Sequence, residues 1–259
     1  MELDLNGHTV ETNFNNPVFV VNGAKLTLKG GNINAKKNVV RVNNGGEVRI
    51  ESGTYDSKNE AFKAVGTGSK ITLNGGTVKS VECALGVNQG AVLEMNGGLV
   101  QTSDNMGIGT NGNAGQGGNT ITMNGGRIEA NIVTAGYEAI GVYIANSDVF
   151  VMNGGEIVAN NGTGLCMRAG DVTINNGTII ATGEPGHDGK IADDPTIMTG
   201  TSAIIYHESA NYPAKEGMKL TVKGGTITGV DHSVQVLSNE ITPNVHVSGG
   251  TLTPAYPEA

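Results

Sequence analysis

The densest run of reactive side chains is the stretch TGEPGHDGKIADDPTIMTG, which carries Glu184, His187, Asp188, Lys190, Asp193 and Asp194. Carboxylates, an imidazole and an amine so close together are the groups that general acid–base chemistry uses. Glycoside hydrolysis needs two carboxyls held about 5 to 9.5 Å apart. Asp193 and Asp194 are adjacent in a loop, where neighbours seldom face the same way, so the pair alone does not make a catalyst. Tyr143 and Arg168 precede this run, and His207, Glu208 and Tyr212 follow it. Aromatic, arginine and carboxylate groups suit sugar hydroxyls and uronates. These eleven residues are the candidate ligand contacts, and Arg168, His207, Asp193 and Asp194 are the ones on which any catalysis would fall. A second acidic set comprises Glu60, Glu82 and Asp104, with Asn105 between coils and Glu138 beyond. If Glu60 and Glu82 stack one strand apart, at about 5 Å, their charges repel unless a lysine or a cation neutralises them. Carboxylate and amide oxygens are Ca²⁺ ligands, so Ca²⁺ is the one metal this set would take, with solvated surface acids as the alternative.

Other chemistries are poorly served. The chain of 259 residues has a net charge of −8, and a negative protein repels phosphate backbones, which argues against nucleic acid as a partner. No apolar run is long enough to span a membrane. Met1 leads straight into patterned sequence, so an extracellular form would already have lost its signal. Phosphate-loop, zinc and hydrolase-elbow motifs do not occur. Cys83 and Cys166 are the two cysteines.

What positions these residues is a repeat. The chain holds 41 Gly and 29 Asn, with only 4% aromatic residues. One phrase recurs ten times: an apolar–x–apolar triplet, a small or polar residue, usually Gly-Gly, then x–apolar. It reads LDLNGHTV at 3–10, ITLNGGTV at 71–78, ITMNGGRI at 121–128 and LTVKGGTI at 220–227. The second Gly falls at positions 31, 53, 76, 98, 126, 155, 177, 225 and 250, in steps of 23, 22, 23, 22, 28, 29, 22, 48 and 25 after His8. A fixed period of this size signals a solenoid. Alternating Val, Ile and Thr is strand chemistry at period two. Each repeat therefore reads as one coil of about 22 residues with three short strands.

The triplet is the second strand, Asn-Gly-Gly its corner, and the following apolar residue the third strand. A first strand precedes the next triplet, with expected inward pairs Phe62/Ala64, Ala84/Gly86, Ile140/Val142, Leu165/Met167 and Ile204/Tyr206. Ten coils at the strand spacing make a rod of roughly 48 Å. Asn74, Asn96, Asn124, Asn153 and Asn175 occupy one corner in successive coils and are placed to form an amide ladder. Cys83 and Cys166 fall three coils apart, roughly 14 Å by that spacing, too far for a disulfide.

The long steps locate insertions at 110–119, 130–138, 182–201 and 208–218. Insertions in a regular solenoid are where function tends to sit. They flank the first strand of coils six to eight. They predict a groove on the outer face of that sheet, floored by Gly141, Cys166 and Ile205 in one column and Tyr143, Arg168 and His207 in the next.

Three-strand coils, apolar–x–apolar triplets and an Asn/Gly corner resemble the right-handed parallel β-helix of the pectate-lyase-like superfamily, and most of all the Gly-Gly-repeat solenoids of bacterial cell surfaces. The resemblance covers nearly the whole chain. It implies an all-β, single-domain parallel β-helix and an extracellular or cell-surface location in a bacterium. It also implies a glycan lying along the first-strand face. Enzymes of that superfamily use spaced Asp motifs with Gly-His-Gly, or an Asp cluster for Ca²⁺ with an Arg or Lys base. Here there is only the Asp193–Asp194 pair, Gly186-His187-Asp188 in the wrong order, and Arg168 without neighbouring Asp. The expected function is a non-catalytic module, adhesin-like, that binds a polysaccharide or surface receptor. The alternative is a lyase or hydrolase of an acidic polysaccharide in the same groove. The tail at 253–259 reads as a linker to further domains of a larger chain.

Overall fold

The computed structural model describes residues 1–103, 105–131, 139–183, 190–191, 194–198, 202–208, 211–238 and 241–254. Three parallel sheets run the length of the molecule, of nine, ten and ten strands, and the chain visits them in turn. This is a parallel β-helix, with the right-handed crossover that parallel connections take. The nine-stranded sheet holds the first strands, such as Phe62–Val65, Cys83–Asn88 and Ala139–Ile144. One ten-stranded sheet holds the triplets, such as Lys70–Leu73 and Val92–Met95, and the other the third strands, such as Thr77–Ser80 and Leu99–Ser103. A short antiparallel pair, Lys190–Ile191 with Asp194–Met198, stands apart within the longest insertion. The last strand is Thr251–Pro254.

Alternation buries one side of every strand. Val48, Ile71, Leu93, Ile121, Phe150, Val172 and Leu220 stack in consecutive register in the triplet sheet, and all are fully buried. The third-strand sheet contributes the column Val78, Val100, Ile128, Ile157 and Ile179. Burying each such side chain stabilises by about 1.5–3 kcal/mol. The steps of 28 and 29 residues leave these columns in register, because the extra residues lie outside the three sheets.

The corner between the triplet and third strands is as expected. Asn96 Nδ2 donates to Asn74 Oδ1 at 2.9 Å, and Asn124, Asn153 and Asn175 continue the ladder at 2.8 Å per step. Asn74 Nδ2 ends it on Glu51 Oε1 at 3.0 Å. At Gly76 the backbone is left-handed, φ +83°, and a Cβ there would lie 2.7 Å from the carbonyl oxygen of Gly53 one coil back. Only glycine meets both demands.

The first-strand register corrects two inward pairs. Phe62 faces Leu85 and Ala64 faces Val87, so the fourth-coil pair is Leu85/Val87 rather than Ala84/Gly86. Leu85 continues to Ile108, Val142, Leu165 and Ile204, which makes the sixth-coil pair Val142/Ile144 rather than Ile140/Val142. Ile140 instead clusters with Tyr143, Ala145 and Cys166. The outward column is thus Lys63, Gly86, Gly109, Tyr143, Cys166 and Ile205, and Tyr143 stands beside Cys166, not in line with Arg168.

Candidate functional site

The outer face of the first-strand sheet changes character along the rod. Every residue of Ala139–Ile144 and of Gly162–Met167 is buried, Tyr143 at 2% exposure, so little of either face of these strands meets water. The floor expected to be open in coils six to eight is therefore covered. Cys166 is fully buried and Cys83 is 8% exposed; neither is in a disulfide, and burial pushes the Cys83 thiol far above its ordinary range.

Arg168 is the main correction. Its side chain is 1% exposed, not laid along a groove floor, and Nη1 lies 2.9 Å from His207 Nδ1. The structure does bring Arg168 and His207 together, as their shared column requires, with Arg168 buried and His207 half-buried. Glu208, expected on the groove wall, is buried as well at 4% exposure. Glu184, His187, Asp188 and Asp193 lie outside the described residues, and Lys190 and Asp194 are placed by backbone alone, in the antiparallel pair.

The open site is displaced toward the middle of the rod, where the 110–119 and 208–218 insertions meet. Tyr143 and Tyr212 face each other with their hydroxyls 2.9 Å apart. The Tyr212 ring lies over Gly112, where a Cβ would come within 2.2 Å of Cε1. Around this pair is a cleft of about 420 Å³, with Thr110, Asn111, Gly112 and Asn113 on one wall and Asn211 and Tyr212 on the other. None of these side chains is charged. Burial, reinforced by Cys166 and Tyr212, pushes the Tyr143 phenol upward, so it stays a neutral donor and acceptor.

A buried polar network fixes the first wall. Asn119 donates to Asp148 Oδ1 through its main-chain N–H at 3.0 Å and through Nδ2 at 2.7 Å. Asn119 Oδ1 in turn accepts from the main-chain N–H groups of Gly90 and Ala91, both at 3.1 Å. Asn146 Nδ2 donates to the carbonyls of Asn111 at 3.0 Å and Asn113 at 2.8 Å. The insertion is thereby tied to the coil before its own and the coil after it.

Asp148 is 1% exposed, and burial raises its pKa above the ordinary 3.8 despite the hydrogen bonds from Asn119 and Thr110. A raised folded pKa means that folding favours the protonated form, so ionised Asp148 costs stability at neutral pH. That cost disappears as pH falls through the raised value toward 3.8. Asp148→Asn, which mimics the neutral acid, is expected to melt above the parent at pH 7. The difference should shrink as the pH drops into the carboxylate range. Thermal melts of both proteins across pH read this directly, and a difference that grows on acidification would contradict it.

A second depression, about 200 Å³, adjoins the cleft and shares Thr110 and Asn111 with it. Its floor includes Gly86 and Gly109, and Glu60, Lys63 and Glu82 stand at its far end. Lys63 Nζ sits 2.9 and 2.8 Å from the two Glu60 oxygens, and Asn59 Nδ2 donates to Glu82 Oε2. Lys63 thus neutralises Glu60, while Glu82 is engaged by the Asn59 amide. Asp104 lies outside the described residues, and among the described residues no three Asp, Glu, His or Cys side chains cluster as metal ligands do.

Sequence reasoning found Tyr143 and Tyr212 but not Thr110, Asn111, Asn113 and Asn211 beside them, nor the glycine floor. Two consecutive outward glycines, Gly86 and Gly109, are a signal available once the register is right. No family model, curated protein or solved structure matches this chain. Among the described residues no helix is long and apolar enough to cross a membrane. The fold and site together define a parallel β-helix that presents an uncharged, tyrosine-based cleft on its first-strand face.

Proposed function

We propose that this chain is a non-catalytic binding module of pectate-lyase-like type, acting outside the cell or on its surface, that engages a glycan on the outer face of its first-strand sheet. The observation that carries this reading is the cleft at Tyr143 and Tyr212. Two insertions far apart in sequence converge there on a rigid floor, and the cleft is lined by aromatic, amide and hydroxyl groups. Such groups match the alternating apolar faces and hydroxyl edges of sugars, and a rigid floor keeps the ordering cost of binding low. A lyase or hydrolase would need a base or acid reaching the ligand. Arg168 is buried and engaged with His207, so the binding reading has the better support.

The test is a glycan array, probed with the parent protein and with Tyr212→Ala, alongside incubation with pectins, alginates and glycosaminoglycans. Retention of the parent on at least one glycan, weakened about tenfold in the variant, and no new reducing ends is the expected result. Chain cleavage of any polysaccharide, or no retention at all, would overturn it.

A further inference from the structure

The cleft and the adjoining depression form one trough, and its lining says which glycans fit. The outward column from Lys63 through Gly86 and Gly109 to Tyr143 runs in unbroken register. Three strand steps span about 14 Å, the reach of a short oligosaccharide. Gly86 and Gly109 leave the middle of that column without side chains of their own. A Cβ at Gly86 would meet Glu60 Oε1 at 3.1 Å, and one at Gly109 would meet Met106 Sδ at 2.4 Å. Flexible side chains therefore lie over the glycines and line the trough with a thioether and a carboxylate. At the tyrosine end the lining residues are uncharged. At the other end Glu60 and Lys63 neutralise one another, and Glu82 adds a second carboxylate. Among the described residues, no cation lining this track stands without a carboxylate beside it, and Arg168 is shut beneath the surface.

Resting on the glycan-binding reading above, we infer that this trough takes a neutral, hydroxyl- or acetamido-bearing oligosaccharide and discriminates against uronic-acid polymers. A uronate threaded along it would bring carboxylates against Glu60 and Glu82 and would find no free positive partner in the lining. Like charges within a few ångströms are strongly disfavoured in a partly enclosed site. A neutral sugar meets Asn and Tyr hydrogen-bonding groups at one end and the Met106 and glycine surface along its length.

Calorimetric titration of the full chain tests this with two sets of probes. One set is cellohexaose, mannohexaose and N-acetylchitohexaose; the other is hexagalacturonate and hexaguluronate. At least one neutral probe is expected to bind, with an affinity that changes less than about twofold when the ionic strength is raised about tenfold. Gly86→Val, which fills the trough where only the mobile end of Glu60 must yield, is expected to weaken that binding about tenfold or more without lowering the melting temperature. Tyr212→Ala should do the same from the other end. Preferential binding of a uronate, weakened by salt, would overturn the inference and leave the glycan-binding reading standing. Neutral binding that neither variant weakens would also overturn it, since the ligand would then lie elsewhere. No binding of any probe here or on the array would overturn the reading itself, and the inference with it.

Discussion

Gly76→Val is expected to cost the fold about 3–5 kcal/mol. Two independent penalties combine. The backbone at Gly76 has φ +83°, a region that a β-branched residue scarcely enters. The new Cβ would also sit 2.7 Å from Gly53 O, 3.0 Å from Ser52 C and 3.1 Å from Gly53 N. All three atoms are main chain of the preceding coil, so relief requires parting two coils rather than turning a side chain. Gly45→Ala isolates the first penalty, because φ is +74° there and a Cβ would meet nothing within 4 Å. That variant should lose only about 1–2 kcal/mol. Urea titration of the three proteins measures both. If Gly76→Val were no worse than Gly45→Ala, close stacking of the corners would not be what demands glycine.

Phe150→Ala should destabilise by about 3–5 kcal/mol. Phe150 is fully buried, held between Ile121 and Val172 in adjacent coils of the triplet sheet. Its removal opens a cavity in a column where the neighbouring side chains are fixed by their own strands and cannot collapse inward far. Phe150→Leu keeps most of the volume and should lose less than about 2 kcal/mol. The adjacent Val149 points outward at 42% exposure, and Val149→Thr should stay within about 0.5 kcal/mol. Melting temperatures in that order, with the alanine variant lowest, are the expected outcome; a Val149→Thr loss equal to that of Phe150→Ala would mean that the strand's two faces are misassigned.

The triplet and third strands were legible because their signal is unambiguous. Apolar residues alternate with polar ones, and a glycine pair marks the corner in nearly every coil. The asparagine ladder followed from register alone. The first strands gave a weaker signal for a physical reason. In Cys83–Asn88 and Ala139–Ile144 every residue is buried, so the period-two contrast that reveals an inward face is absent. The pairs were displaced by one residue in the fourth coil and by two in the sixth, and with them Tyr143 moved out of line with Arg168. The burial of Arg168 was beyond local pattern altogether, since its partner His207 lies 39 residues further along the chain. The bond between Asn119 and Asp148 joins residues 29 apart, the same step as from Gly126 to Gly155, so the triplet register makes them neighbours but carries no sign of their burial. The cleft was thus half legible: its insertions and its two tyrosines could be read, but not the coil on which they open.

Along the three sheets, each coil of this molecule bonds only to the one before and the one after it. In such an array, loss of order starts at a coil with a single neighbour and advances inward one turn at a time. Tyr143 and the 110–119 wall stand several turns from either tip. Those parts of the cleft consequently belong to the segment that exchanges its amide protons last, whereas Tyr212, which follows the penultimate strand of the nine-stranded sheet, loses its support earlier.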